Sequence, residues 1–295
     1  MPVGQAERVQ DFTGRVAAIT GAGSGIGRAL AVQLAGEGAH LALSDVDEAG
    51  LAETVGLCEG ARGGPGVKVT SARVDVADRA AVHAWADRVV AEHGKVNLVV
   101  NNAGVGLVAS IEHMSYEDFE WLMGINFWGV VHGTKAFLPH LKAADEGHVV
   151  NVSSVFGLVS IPAQSAYNSA KFAVRGFTDA LRIELEAAGS TVSCTTVHPG
   201  GIRTNIARSA RVDEATAAAF GNAEADPDRF DRMARTTPDK AARQILAAVR
   251  ANHRRALIGP DARVIDLVSR LPAGVYQRLL VTSVRRRSRR ATRTP

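Results

Sequence analysis

Short apolar runs alternate with longer amphipathic segments along most of the chain. "RVAAIT" (15–20), "AHLALSD" (39–45), "VKVTSARVD" (67–75), "VNLVVN" (96–101), "HVVNVSS" (148–154) and "TVSCTTVHP" (191–199) have strand length and are rich in apolar residues. Hydrophobicity that runs on rather than alternating marks strands covered on both faces. Between them, "GIGRALAVQLAGEG" and "RAAVHAWADRVVAEHG" have helical period. In the second, Ala81, Val82, Trp85, Val89 and Val90 form one core-facing stripe. The alternation predicts an α/β fold, a doubly wound parallel sheet in a three-layer αβα arrangement. No internal repeat or Pro/Gly-rich linker interrupts it, so a single domain is expected over 1–259.

The pattern breaks after the sixth run. Residues 203–236 are rich in Ala, Asp and Arg and are long for a loop, which suggests a substrate lid. "TPDKAARQILAAVRANHRRALI" then predicts a Thr-capped, Pro-started helix and a short strand. Residues 260–284 form an expected helical extension, with an apolar stripe of Val264, Leu267, Val268, Leu271, Val275 and Leu279. Pro272 and Gly274 should break it in two. The arginine-rich segment 285–295 is expected to be disordered.

"TGAGSGIG" (20–27) lies directly between the first strand and the first helix. Glycines there allow a tight turn, and the N–H groups at the helix start can face a pyrophosphate. The spacing Gly21-xxx-Gly25-x-Gly27 differs from the ordinary G-x-G-x-x-G fingerprint. Asp45 closes the second strand, where a carboxylate can accept hydrogen bonds from both hydroxyls of an adenosine ribose. It would repel a 2′-phosphate, and no Lys or Arg precedes Gly25 in the turn, so NAD is favoured over NADP.

"SAYNSAK" (165–171) sets Tyr167 and Lys171 four positions apart, on one face of a helix. A free phenol is a poor base near neutrality, and an ammonium held close would lower its pKa. Such a phenol could exchange a proton with an alcohol or ketone oxygen. Ser154, at the end of the fifth strand, could hydrogen-bond that same oxygen. In a parallel sheet these strand ends gather at the edge that holds the glycine turn.

Taken together, "TGAGSGIG", "DVAD" (75–78), "NNAG" (101–104), Asn126 within "GINFWG", "NVSS", "YNSAK" and "HPGGIRT" (198–204) resemble a short-chain dehydrogenase/reductase of the single-domain Rossmann-type branch. The resemblance implies that Tyr167 is the general acid/base and that Lys171 binds the nicotinamide ribose and lowers the tyrosine pKa. Ser154 would polarise the substrate oxygen, and Asn126 would hold a water that extends the proton relay. Gly21, Ser24, Gly25, Ile26 and Gly27 would form the pyrophosphate turn, with Asp45 on the ribose. Asp75 and Val76 would bracket the adenine, and Asn102, Ala103 and Gly104 would line the adenosine side. Pro199, Gly200, Ile202 and Thr204 would seat the nicotinamide. The family also implies pairing into a homodimer or homotetramer. His198 reads as structural, and Trp121, Phe127 and Trp128 as core or subunit contacts.

The implied reaction is interconversion of a secondary alcohol and a ketone by hydride transfer. The flanking residues Val105, Leu107, Phe156, Leu158, Ile161 and Ile206 suggest an apolar pocket, hence a steroid, terpenoid, long-chain or 3-hydroxyacyl substrate. Alternatives are a 3-oxoacyl-thioester reductase of lipid metabolism and a catalytically silent NAD-binding sensor.

Composition adds few constraints to this picture. Of 295 residues, 46% are hydrophobic and 22% charged, as in an ordinary globular chain. No apolar run reaches membrane-spanning length, and the start lacks the order of a signal peptide. Cys58 and Cys194 show no metal-ligand or disulfide-framework spacing, so no metal site and a cytoplasmic location are expected. The formal charge of +4 is local: removing the six arginines of the last eleven residues from the 34 basic residues leaves 28 against 30 acidic ones. Three readings of the C-terminal segment stand: a stripe packed on protein with solvated arginines, peripheral contact with an anionic membrane, or nonspecific nucleic-acid contact.

Overall fold

The computed structural model describes residues 11–61, 66–144, 146–220, 232 and 234–291. Seven strands form one parallel sheet: β1 (Val16–Thr20), β2 (His40–Asp45), β3 (Val69–Arg73), β4 (Leu98–Asn101), β6 (Gly147–Val152), β7 (Val192–Pro199) and β9 (Arg255–Ile258). Their spatial order is β3-β2-β1-β4-β6-β7-β9, so the winding reverses between β1 and β4. All six expected strands and the short strand after the Pro-started helix are present.

Period-two alternation divides the sheet between two cores. On β1, Ala17 and Ile19 pack toward helices α1 (Gly25–Gly36) and α8 (Pro238–Arg250). Val16 and Ala18 pack toward α3 (Arg79–His93), α5 (Gly129–Ala143) and α6 (Ser165–Ala187). The α3 stripe buries Val82, Trp85 and Val89, with Trp85 edge-on to Phe137 at 5.1 Å. Helix α8 has Thr237 as its N-cap, accepting from the Lys240 N–H, and Pro238 in its first turn. Helix α2 (Glu48–Gly60) follows β2 and begins with Asp47 capping the Gly50 N–H.

Three features were not expected. Two-residue strands β5 (Leu107–Val108) and β8 (Arg211–Val212) pair in parallel and fasten the start of the 203–236 segment to the body. Arg211 there bonds Asp118 of helix α4 (Tyr116–Met123) at 2.7 Å and covers the Trp121 ring. Helix α7 (Glu214–Phe220) follows, while 221–231 and 233 lie outside the described residues. Between α4 and α5 the chain makes a π-helical turn, Gly124–Trp128, which holds Asn126.

The extension forms helices α9 (Pro260–Val268) and α10 (Ala273–Ala291), broken at 269–272, where Pro272 stands, with Gly274 already inside α10. The arginine run is helical through Ala291 rather than irregular, and residues 292–295 lie outside the described residues. No helix among the described residues is long and apolar enough to cross a membrane. None of their His, Cys, Asp and Glu groups is arranged to hold a metal. Cys58 and Cys194 are buried free thiols, pushed up to about 11 and about 12 by burial.

A polar network crosses the sheet under the site. Asn101 and Asn151 are register partners, joined by an Nδ2–Oδ1 bond of 2.8 Å. Asn101 also donates to Thr134 of α5, and Asn151 to Thr178 of α6. Both helices are thereby fixed against the sheet by buried amide hydrogen bonds, with the Asn101 Oδ1 left without a partner.

Two histidines in the sheet are buried neutral. Burial pushes His148 down to about 3 and His198 down to about 4. In the unfolded chain both take up protons near pH 6.5, while the folded protein refuses them. Stability should therefore be complete above pH 6.5 and fall as pH drops toward 4. Urea unfolding at pH 7 and pH 5 should show a loss of about 1–2 kcal/mol per histidine. His148→Asn should remove roughly half of that pH dependence.

Candidate active site

The glycine turn is set by backbone crossings. Gly21 and Gly25 have left-handed φ of +66° and +55°. A methyl group on Gly27 would collide with the Gly21 carbonyl oxygen, and one on Gly21 with the backbone of Ala103. Helix α1 starts with Ser24 as an N-cap that makes no side-chain bond, and its first turn holds no acidic residue. The leading N–H groups of Gly25, Ile26 and Gly27 thus remain at a positive helix end without a capping side chain. That is a cradle suited to a phosphate group.

Residues from neighbouring strand ends brace this turn. Thr20 Oγ1 accepts from the N–H groups of both Asn102 and Ala103. Asn102 Nδ2 donates to the carbonyls of Thr20 and Gly21. Asp45 accepts from the Gly23 N–H at 2.7 Å and from the Asp47 N–H at 3.0 Å, so its carboxylate stands at the rim of the turn. Arg28, not singled out from sequence, spans the same region. Its guanidinium donates to the Gly23 and Gly50 carbonyls and to Thr54 Oγ1, and pairs with Glu53. A lone Arg inside an amphipathic helix gives no sequence signal of such a brace. On the adjacent strand end, Asp75 accepts from the Ala77 N–H, and Val76 is buried with its carbonyl against His132.

Across the switch point, Ser154, Tyr167 and Lys171 converge. Ser154 leaves β6 in extended conformation and caps the 3₁₀ turn Val155–Gly157 by accepting from the Phe156 N–H. Helix α6 is held onto that strand end by paired bonds. Ser153 donates to the Lys171 carbonyl at 2.7 Å, and Lys171 Nζ donates to the Val152 carbonyl at 3.0 Å. The two adjacent serines therefore divide their tasks: Ser153 anchors the helix, and Ser154 faces the phenol.

Lys171 is 3% exposed, and its Nζ lies 5.6 Å from the centre of the Tyr167 ring. Burial pushes the ammonium down to about 8, so it stays mostly protonated at neutral pH. Tyr167 behaves differently from the expectation. Burial pushes its phenol up to about 12, only partly opposed by the hydrogen bond with Ser154. Desolvation of the ionised phenol is the dominant effect on this group. Phe156 stands edge-on to the Tyr167 ring at 6.1 Å.

Asn126 is fully buried, and its amide is clamped by Val105: Oδ1 accepts from the N–H and Nδ2 donates to the C=O, each at 2.8 Å. This fixes the Gly104–Val105 backbone. A methyl on Gly104 would meet Asn126 Oδ1 and lie 3.7 Å from Lys171 Nζ, so the three groups are neighbours. A water at Asn126 has only the second lone pair of Oδ1 or the second amide N–H to use.

The turn after β7 completes the edge. Ile202 is buried and bridges to Thr236, while Thr204 packs its methyl toward Gly25. Gly200 donates to the Ile258 carbonyl, and Gly201 donates to Asp261 Oδ2 at 2.6 Å. A side chain on Gly200 would overlap the Asp261 carboxylate, which accounts for the Pro199-Gly200-Gly201 sequence. Asp261 lies in the first turn of α9, sixty residues later, where nothing local marks it as part of the site. His198 is structural, its Nδ1 at 2.8 Å from the Ser154 carbonyl.

Of the expected pocket-lining residues, Val105, Phe156, Ile161 and Ile206 are partly exposed. Leu107 and Leu158 are buried, and Leu107 belongs to a core cluster with Leu122 and Ala170. The β5–β8 pairing turns it inward. Trp121 and Phe127 pack beside that cluster, and Trp128 is exposed.

Known proteins share this arrangement. The family model described as short chain dehydrogenase matches residues 15–215. A Mycobacterium tuberculosis protein whose name reads oxidoreductase SadH is 48% identical over 281 residues, covering 94% of this chain and 97% of its own. Estradiol 17-beta-dehydrogenase 11 of Pongo abelii is 38% identical, covering 68% of this chain and 66% of its own. A short-chain dehydrogenase/reductase of Burkholderia phymatum, solved with NAD, superposes with a TM-score of 0.80 at 35% identity, over 88% of this chain and 93% of that one. An alcohol dehydrogenase of Thermococcus sibiricus, complexed with 5-hydroxy-NADP, gives a TM-score of 0.66 at 29% identity, over 80% and 89%. Sequence, sheet order and site geometry agree: the chain belongs to the short-chain dehydrogenase family of oxidoreductases.

Proposed function

We propose that the protein interconverts a hydrophobic secondary alcohol and its ketone, using NAD in preference to NADP. The observation that carries this reading is the convergence of Ser154, Tyr167 and a buried Lys171 ammonium on the sheet edge that holds the glycine cradle. A nicotinamide coenzyme held there would supply the hydride acceptor or donor for the substrate carbon. The cradle of Gly21, Ser24, Gly25, Ile26 and Gly27 would hold the pyrophosphate, and Asp45 the adenosine ribose. Asp75, Val76, Asn102, Ala103 and Gly104 would line the adenosine side, and Pro199, Gly200, Ile202 and Thr204 the nicotinamide.

In the oxidising direction, the Ser154 hydroxyl donates a hydrogen bond to the substrate oxygen, and the Tyr167 phenolate removes its proton. In the reducing direction, the phenol returns a proton to that oxygen. Lys171 opposes the desolvation of the phenolate. With the phenolate charge placed at the ring centre, 5.6 Å from Nζ, and an effective dielectric of about 20, its attraction is about 3 kcal/mol. The burial lift of the phenol from 10 to about 12 is worth about 3 kcal/mol as well. The cation and the burial penalty are matched in size, so the amine brings the phenol back toward its ordinary value of about 10, and without it the phenolate is too costly to form. Asn126 acts by fixing the Gly104–Val105 backbone beside the ammonium.

Two further features support the substrate and coenzyme parts. Phe156, Val105, Ile161 and Ile206 offer apolar surface beside the phenol, which favours a lipophilic substrate. Arg28 is committed to the glycine loop, Thr54 and Glu53, so it is not placed to meet a 2′-phosphate that Asp45 would repel. Pairing of two copies would use the exposed Trp128, Phe172 and Ile183 of the π-turn and α6.

The direct experiment is a panel of apolar and polar secondary alcohols and ketones, with 3-oxoacyl thioesters included, assayed with NAD(H) and NADP(H). Turnover confined to polar sugars or to thioesters would overturn the substrate assignment. Tyr167→Phe should lower kcat by about 10²–10⁴-fold on the best substrate, with coenzyme affinity retained by fluorescence titration. Asp45→Ser should raise the NADP-to-NAD ratio of kcat/KM by about tenfold or more. It should also cost about 1–2 kcal/mol of stability, because the Gly23 and Asp47 N–H groups lose their acceptor.

A further inference from the structure

Exposed apolar side chains are concentrated at one place on this protein. Of the fourteen large hydrophobic residues exposed among the described residues, six lie between positions 264 and 281. Val264 is 62% exposed and Leu267 68% exposed on α9, and Leu279 is 65% exposed on α10, with Leu271, Val275 and Val281 also open. Single exposed apolar residues need no explanation, but six within eighteen positions across two successive helices call for one.

The stretch of chain that carries most of these residues has charge of one sign. After Asp266 the sequence holds eight arginines and no acidic residue. Asp266 itself is buried and paired with Arg255 and Arg270 at 2.9 and 3.0 Å, so it does not neutralise the surface. Arg263, Arg278 and Arg285 are exposed, and Arg278 lies three positions from Val275 and next to Leu279.

The patch is also tied to the site. Helix α9 packs on β9 and on the 3₁₀ turn that follows Ser154, and its Asp261 holds the Gly201 N–H. Val264 follows Asp261 by one helical turn. The exposed apolar face therefore begins on the helix that forms one wall of the site, in a fixed position relative to Ser154.

We propose that α9 and α10 form a peripheral docking surface for an anionic lipid bilayer, and that docking sets the mouth of the active site against the membrane. Apolar side chains beside a dense cationic segment supply the two components that reversible surface attachment needs. The placement of the mouth rests on the reaction proposed above; the docking itself does not. A nucleic acid would account for the arginines but not for six exposed aliphatic residues. Tyr276 is moreover the one aromatic residue after Pro260 available for stacking. A second copy of the chain, related by a two-fold axis on this face, would set the arginine clusters against one another.

The test is flotation of the full-length protein with phosphatidylcholine vesicles containing roughly 30% phosphatidylserine, against phosphatidylcholine alone, at low and high salt. Binding is expected to the anionic vesicles only, weakening as salt rises. Leu267→Asp/Leu279→Asp should reduce it about tenfold or more, with turnover of a water-soluble alcohol unchanged. Turnover of a long-chain alcohol dissolved in the anionic vesicles should fall in that variant. No vesicle binding by the wild type, equal binding to both vesicle types, or unchanged binding of the double variant would each overturn the proposal. Loss of a dimer in the variant without vesicle binding by the wild type would assign the face to a second copy. Duplex DNA binding that is insensitive to the leucine changes, with vesicles ignored, would assign it to nucleic acid. A wild type that binds anionic vesicles but oxidises no alcohol would refute the reaction alone.

Discussion

A protonated amine buried beneath a tyrosine ring is the constraint that the site is arranged around. Lys171 is almost fully covered, and the partner its Nζ finds is the Val152 carbonyl, a dipole rather than a charge. Burying an ammonium without a counter-ion is costly, and the cost appears in its lowered proton affinity. Tyr167 carries the complementary cost, since its ionised form is desolvated too. Each group would be an unfavourable occupant of this pocket by itself. Together, the ionised phenol is the anion that the ammonium lacks, and neither needs a permanent carboxylate nearby.

That pairing works only if helix α6 stays in register with the end of β6. The register is held by Ser153 on the Lys171 carbonyl, by Lys171 on the Val152 carbonyl and by Asn151 on the Thr178 hydroxyl. The same sheet edge collects the glycine turn through Thr20, Asn102 and Asp45. A doubly wound sheet brings these groups together because the winding reverses between β1 and β4, which leaves a crevice beyond the strand ends. Asp261 then closes the crevice from the far end of the chain, so the C-terminal extension is part of the site's architecture.

What could be read from sequence was what local pattern encodes. The inner strands such as β1, β2 and β4 are buried along nearly their whole length, and the turn at 20–27 and the Tyr167–Lys171 spacing are each contained in a few residues. Features that depend on tertiary contact could not be read in this way. Strands β5 and β8 have two residues each and no periodicity, and their pairing is what buries Leu107 instead of presenting it to substrate. Arg28 and Asp261 act over 22 and 60 residues of separation, with no local signature. Disorder is expected of the arginine run because charge dominates its composition. Arginine is nevertheless a good helix former, and nothing in that segment breaks the helix begun at Ala273. The direction of the Tyr167 shift differs from the expectation for a related reason: the sequence shows the amine but not the desolvation of the phenol at the sheet edge.

The most direct test of this account is the pH dependence of alcohol oxidation at saturating coenzyme, in the wild type and in Lys171→Met. If the amine offsets the desolvation of the phenol, wild-type kcat rises through an apparent pKa near the ordinary phenol value of about 10, and Lys171→Met moves that rise up toward about 12. An active Lys171→Met enzyme with an unchanged pH profile would contradict it.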